Sequence, residues 1–267
     1  MPGLPASKTA SRSPVECAAA TDGRRTAKGE DRFALIIPLY NHEEKVADVV
    51  REGLKLGWPV FVVDDGSTDS SRERIRAIDG ITVLRHRKNE GKGAAIQTGF
   101  AAAARVAGWA VTVDADGQHR PEDALRLVRA VPAGRRPIVV GRREGMFGAG
   151  APWTSRFGRE FSNFWVRLSG GPRLADSQCG LRLYPLPEAM NLRVRARRFQ
   201  FEVEILVRAR WKGMNVLEAP VRVDYRPGSG RVSHFRPFVD FMRNSNTFTR
   251  LIFMRILFPP SVRRKYP

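Results

Sequence analysis

Trp109-Ala110-Val111-Thr112-Val113-Asp114-Ala115-Asp116-Gly117-Gln118-His119 joins a short apolar run to a cluster of polar groups. The apolar run reads as a strand, and side chains alternate along a strand, so Asp114 and Asp116 leave its end on the same side. Two carboxylates that close repel unless something positive lies between them. A divalent cation, Mg2+ or Mn2+, would serve: hard cations take oxygen ligands and often share coordination with substrate phosphates. A plainer reading is a strand-to-helix turn, with Asp116 or a neighbour capping the helix that Pro121-Glu122-Asp123 opens. The rest of the chain decides between them.

Working outward, the same pattern recurs. Phe33-Ala34-Leu35-Ile36-Ile37 is a continuous apolar run of the kind that becomes a buried parallel strand. An amphipathic stretch with Val46, Val49, Val50 and Leu54 follows, then the strand Val60–Val63 and the turn Asp64-Asp65-Gly66-Ser67. A helix over 69–78, a strand over 81–84 and a Gly-flanked helix from Gly91 to about Val106 precede Trp109, and Pro137–Val140 makes a further strand. Alternating strands and helices with short turns predict an α/β fold: a doubly wound, mainly parallel sheet flanked by helices. Ligands of such sheets gather beyond the carboxyl ends of the strands. That rim collects Pro38–Asn41, Asp64–Ser67, Asn89–Gly93, Asp114–Gln118 and Gly141–Arg143, and is the expected active site.

The second half is less regular. Helices are expected over 153–169 and 199–213, with short strands at 181–184, 216–217 and 221–223. The Gly- and Ser-rich basic stretch 226–235 reads as a mobile lid. The domain would run from 32 to 235, after a disordered extension over 1–31 and before a basic, amphipathic C-terminal helix and tail over 236–267. There is no internal repeat.

Composition narrows the partners. The formal net charge is +19 over 267 residues, which favours anions: phosphorylated substrates, acidic lipid headgroups or nucleic acid. The basic stretches are scattered and lack the aromatic interleaving of single-strand nucleic-acid grooves, which argues against nucleic acid. With 2 cysteines, Cys17 and Cys179, there is neither a disulfide framework nor metal-knuckle spacing, and a reducing cytosolic compartment is expected. No secretory signal and no apolar run long enough to span a bilayer is visible.

Taken together, Pro38-Leu39-Tyr40-Asn41, Val63-Asp64-Asp65-Gly66-Ser67-x-Asp69, Asn89-x-Gly91-Lys92-Gly93 and Asp114-Ala115-Asp116-Gly117-Gln118 resemble the family-2 glycosyltransferases of GT-A fold. The resemblance covers about residues 33 to 235. It is strongest to the branch that glycosylates dolichyl or polyprenyl phosphate, where Asp176-Ser177-Gln178-Cys179-Gly180-Leu181-Arg182 occupies the place of an acidic segment before a strand. What it implies is an inverting, metal-dependent transfer of a hexose from a GDP- or UDP-sugar donor to a lipid-linked acceptor. Asp114, Asp116 and Gln118 would hold the metal against the diphosphate, while His119 reads better as a neutral surface histidine. Asp64 and Asp65 can accept hydrogen bonds from base or ribose, and Tyr40 can stack on the base. Pro38, Glu43 and Ala115 complete the donor's surroundings by resemblance. Lys92, in a Gly-rich turn at a helix start, suits a phosphate, as do Arg142, Arg159 and Arg231.

The acceptor decides the chemistry. A hydroxyl acceptor needs a general base, for which Asp176 or Glu202 is nearest; a lipid phosphate is already anionic and needs none, and Asp176 then orients the cations. The arginines favour the phosphate. Two departures from the branch, His42 after Asn41 and His234 after Ser233, leave the nucleotide and acceptor open. From Phe235 to Phe258 aromatic and aliphatic residues alternate with Arg243, Arg250 and Arg255. Such a helix can lie in an anionic membrane interface, peripheral to the inner face of the cytoplasmic membrane, or pack its apolar face on the domain or on a sister subunit in a homo-oligomer.

Overall fold

In the computed structural model, residues 31–144, 153–223 and 237–265 are described. The expected N-terminal extension up to residue 30, the expected lid and Arg231 lie outside them.

The chain enters the fold at β1 (Phe33–Leu39), whose residues from Ala34 onward are all buried. Burial on both faces explains the unbroken apolar run, since both faces of a parallel sheet are covered. Leu35 and Ile36 point to opposite faces. Gly53 of α1 (Val46–Leu54) sits against Leu35, and Gly99 of α3 (Lys92–Ala103) against Ile36, so helices cover both sides of β1. β2 (Val60–Asp64) pairs with β1 on one side, and β3 (Ile81–Arg85) continues that edge after the short α2 (Ser71–Arg76). β4 (Trp109–Thr112) pairs with β1 on the other side. The β1–β4 register ends at Ile36↔Thr112, while β1 goes on to pair Pro38 with Val63 of β2. Pro38 has no N–H to extend the β4 ladder, and Asp114 emerges at this point.

Beyond β4 lie β6 (Arg182–Pro185), β5 (Ile138–Arg143) and β7 (Val216–Val221), giving the order β3-β2-β1-β4-β6-β5-β7 among the described residues. β6 runs antiparallel to both β4 and β5, whereas all other pairs are parallel. A strand antiparallel to both neighbours leaves those neighbours parallel to each other, so the carboxyl ends of β1, β2, β4 and β5 share one rim. The amino end of β6 meets them there and delivers the 176–181 segment. The short strands expected at 216–217 and 221–223 are one strand. Pro220 reads as a break, yet it pairs with Arg142 on the edge strand, where a proline is tolerated.

After a 3-10 turn at Pro121–Asp123 comes α4 (Ala124–Arg129); later come α5 (Trp153–Leu168), α6 (Phe201–Trp211), α7 (Pro237–Leu257) and α8 (Pro260–Lys265). Phe248, Leu251 and Met254 of α7 bury themselves against Val166 of α5 and Val203, Val207 and Trp211 of α6. The C-terminal helix therefore packs one apolar face on the domain.

Candidate active site

The rim is built from acids and their counter-charges. Asp64 closes β2 and Asp65 follows it, both buried. Asp64 Oδ1 accepts from the Ser67 N–H at 2.8 Å, and its Oδ2 faces Arg85 Nε at 3.3 Å. Gly66 takes φ +73 between them, with Lys88 backbone so near that any side chain would collide. Asp65 is fully engaged: Oδ1 accepts from His86 Nδ1 (2.6 Å) and Glu90 N–H (2.9 Å), and Oδ2 from Gly91 N–H (2.7 Å). In this structure Asp65 clamps the 89–91 loop. Glu43 is likewise occupied, accepting from Ser70 N–H at 2.8 Å, while its own N–H donates to Asp69 Oδ2 at 3.1 Å. Pro38 is buried inside β1 and Tyr40 is half-buried at its end.

Asp114 and Asp116 follow β4, with Ala115 buried between them. Asp114 lies 2.6 Å from the ammonium of Lys92, which also lies 2.9 Å from Glu202 on the first turn of α6. A Cβ on Gly180 would collide with the Asp114 carboxylate, so this glycine leaves the space that the carboxylate fills. Burial works against the charged form of Asp114, but Lys92 outweighs it and holds the carboxyl below its usual range. Asp116 goes the other way: burial and the charge of Asp114 push it up. Burial also opposes the Lys92 ammonium, yet Asp114 and Glu202 keep its pKa above the ordinary lysine value. The turn of the plainer reading is also real in part, because Asp116 Oδ1 accepts the Gln118 N–H at 3.0 Å.

The residues fit a cation in a limited sense. Among the described residues no group of three or more His, Cys, Asp or Glu is gathered as a closed metal site. The Asp114–Asp116 pair, with Asp116 destabilised as an anion by its neighbour, supplies the one or two carboxylates by which Mg2+ is commonly held alongside substrate phosphates. Gln118 contributes its backbone N–H to Asp116. His119 is buried rather than on the surface; burial and Arg143 lower its pKa, and its Nε2 lies 3.6 Å from Cys179 Sγ.

The basic residues separate. Arg143, not Arg142, meets Asp176: Nε reaches Oδ2 at 2.6 Å and Nη2 reaches Oδ1 at 2.9 Å, with Asp176 wholly buried. Alternation at the end of β5 leaves Arg142 exposed. Arg159 is buried on α5. Lys92 is turned to carboxylates, and the Ala94 N–H at the start of α3 donates to Arg197 O at 2.8 Å. Sequence reasoning gave Arg182 no role beyond its place at the end of the 176–182 segment. Arg182 is buried and donates to the carbonyls of Ser177, Cys179 and Glu202 at 2.7–2.8 Å, tying the 176–180 segment to α6. A further signal is a charge inside the otherwise apolar Leu181–Tyr184 run.

An open, mainly parallel α/β sheet with acids gathered at the carboxyl rim is the architecture of an enzyme, and comparison gives the family. The model of glycosyl transferase family 2 matches residues 34–185, and the chain belongs to that family. It is a glycosyltransferase of GT-A fold. It is 29% identical over 213 residues to the UDP-N-acetylglucosamine--dolichyl-phosphate N-acetylglucosaminyltransferase of Methanococcus voltae, covering 72% of this chain and 85% of that protein. It is 31% identical over 173 residues to the undecaprenyl-phosphate 4-deoxy-4-formamido-L-arabinose transferase of Salmonella choleraesuis, covering 58% of this chain and 49% of that protein. The crystal structure of mannosyl-3-phosphoglycerate synthase from Rubrobacter xylanophilus superposes with a TM-score of 0.53 at 16% identity, covering 85% of this chain and 74% of that one.

Proposed function

We propose that the enzyme transfers a hexose from a GDP- or UDP-sugar to a polyprenyl phosphate, with inversion at the anomeric carbon. The observation that carries the choice of acceptor is that both nearest candidate bases are already spent on cations, Asp176 on Arg143 and Glu202 on Lys92. A phosphate oxygen attacks without surrendering a proton, so the acceptor requires no base. The bond from the anomeric carbon to the diphosphate breaks as the bond to the acceptor oxygen forms, and the nucleoside diphosphate leaves. Mg2+ or Mn2+, when bound, neutralises charge on that leaving group. Asp114 and Asp116 would hold it, Gln118 N–H orients Asp116, and Asp176 fixes Arg143 at the rim. The two relatives named for polyprenyl-phosphate acceptors support that choice of acceptor.

A membrane surface as partner agrees with the outer side of the C-terminal helices. No described helix is long and apolar enough to cross a bilayer. On the side of α7 away from the core, Phe253, Ile256 and Leu257 are 57%, 73% and 67% exposed. From residue 241 to 267 there are six basic residues and no acidic one, a charge matched to an anionic leaflet. The test of the whole reading is a panel of GDP- and UDP-hexoses, first for Mn2+-dependent thermal stabilisation and then for transfer to polyprenyl phosphate. If no donor stabilises the protein, the reading fails.

A further inference from the structure

Lys92 stands between two carboxylates on elements that cannot readily separate. Its Nζ lies 2.6 Å from Asp114 Oδ1 and 2.9 Å from Glu202 Oε1, and the side chains of Lys92 and Glu202 are only 14% and 10% exposed. The first turns of α3 and α6 are in close contact, since a Cβ on Gly93 would collide with Phe201, and α6 is in turn tied to β6, where Arg182 Nη1 donates to Glu202 O at 2.7 Å. The ammonium can therefore change partner by side-chain rotation while both helices stay in place. In the reading above Asp114 would hold the metal against the donor diphosphate, and an ammonium in contact with it repels an incoming cation.

We propose that Glu202 is a positioning residue that takes Lys92 over when Asp114 turns to the metal-bound donor. This rests on the metal-dependent donor reading above. Without donor, Lys92 neutralises Asp114. As the cation arrives, the ammonium withdraws onto Glu202, which keeps its charge paired out of water. Removing the charge of Glu202 leaves Lys92 with Asp114 alone, where it competes with the metal. Removing Lys92 as well ends the competition.

The test measures UDP and GDP binding to the full-length chain by calorimetry across a Mn2+ series, with thermal unfolding as a check on folding. Glu202→Gln should raise the Mn2+ concentration for half-maximal nucleotide binding about tenfold, in the range seen when groups behind a metal ligand are changed. Lys92→Met combined with Glu202→Gln should return it to within about twofold of the original, while Glu202→Asp stays close to it. A structural role would instead make the two losses add. That result, or an unchanged Glu202→Gln, overturns the proposal. If the double variant has lost nucleotide affinity even at saturating Mn2+, Lys92 binds the diphosphate directly and the proposal also fails. If Glu202→Gln does not fold, Lys92→Met alone decides: it must lower the Mn2+ requirement, and raising it is fatal. Should the unmodified protein bind both nucleotides equally with and without Mn2+, the metal reading itself falls; additive variants in a Mn2+-dependent protein sink only the handover.

Discussion

Asp114 is constrained from two sides, by the Lys92 ammonium and by the space over Gly180. A methyl group at Gly180 must displace that carboxylate by a substantial fraction of an ångström, and misplacing a reacting group by about 1 Å costs on the order of 100-fold. Gly180→Ala should therefore lower turnover about 100-fold while costing only about 1–3 kcal/mol of stability, the usual range for overpacking. Steady-state transfer and urea unfolding measured on the same preparation check this, and turnover near the original value would refute it. Asp114 and Asp116 drew notice in the sequence as two acids just past an apolar run, and in the fold they follow β4 (Trp109–Thr112) into a turn. The Gly180 contact and the Lys92–Glu202 pair were not legible in the sequence, since they join residues 66 and 110 positions apart. Cys179 offers a separate check. Burial, with the nearby Asp176, pushes its thiol up to about 12, whereas an unfolded chain has it near 9.0. The folded state binds that proton more tightly, so its contribution to stability is complete below about pH 9 and is lost as pH rises towards 12. In a Cys17→Ser background Cys179 should resist alkylation at pH 8 until the protein is unfolded, and Cys179→Ala should flatten the fall in stability above pH 9.

At the scale of elements, apolar runs bounded by turns located almost every strand, because strands covered on both faces cannot alternate with polar residues. The rim turns were located too, but not how their side chains are spent. Asp65 looks from the sequence like Asp64, a carboxylate at a strand end. In the fold it is a clamp, joining the end of β2 to His86 after β3 and to the backbone entering α3. His86 is in turn held by Thr98 of α3 at 2.9 Å from Nε2. Asp65→Asn puts an amide NH2 where N–H donors already point. Each buried donor left without an acceptor costs about 1–3 kcal/mol, so this single-atom change should lower the unfolding free energy by about 2–4 kcal/mol. Denaturant titration measures it; a loss under about 0.5 kcal/mol would mean that the clamp is held by packing alone. The same reasoning separates Arg143 from Arg142. Adjacent strand residues face opposite ways, and only the fold shows that Asp176 lies on the side of Arg143.

The charge of the whole molecule is the feature that composition alone left most open. A net charge of +19 is compatible with nucleic acid, with a membrane and with phosphorylated substrates together. The fold distributes it unevenly in function. At the rim, Lys92, Arg143 and Arg85 are paired with acids, while Arg263, Arg264 and Lys265 make the last turn of α8 basic. A helix that buries Phe248, Leu251 and Met254 inward leaves Phe253, Ile256 and Leu257 on its outer side, exposed to an apolar partner. In the proposed reading an anionic bilayer would take both the apolar face and the cations. Replacing Ile256 and Leu257 together by Asp should reduce co-sedimentation with vesicles containing about one third anionic lipid by tenfold or more, given that each buried aliphatic side chain contributes about 1.5–3 kcal/mol. Binding of the unmodified enzyme should weaken with added salt as the basic contribution is screened. Transfer to a short, water-soluble polyprenyl phosphate analogue should be unchanged in the variant, while transfer to the same phosphate embedded in vesicles should fall. Equal loss on both acceptors would place the damage in the fold rather than at the membrane. An unmodified enzyme that is dimeric in solution and becomes monomeric on this substitution would assign the face to a second copy of the chain instead.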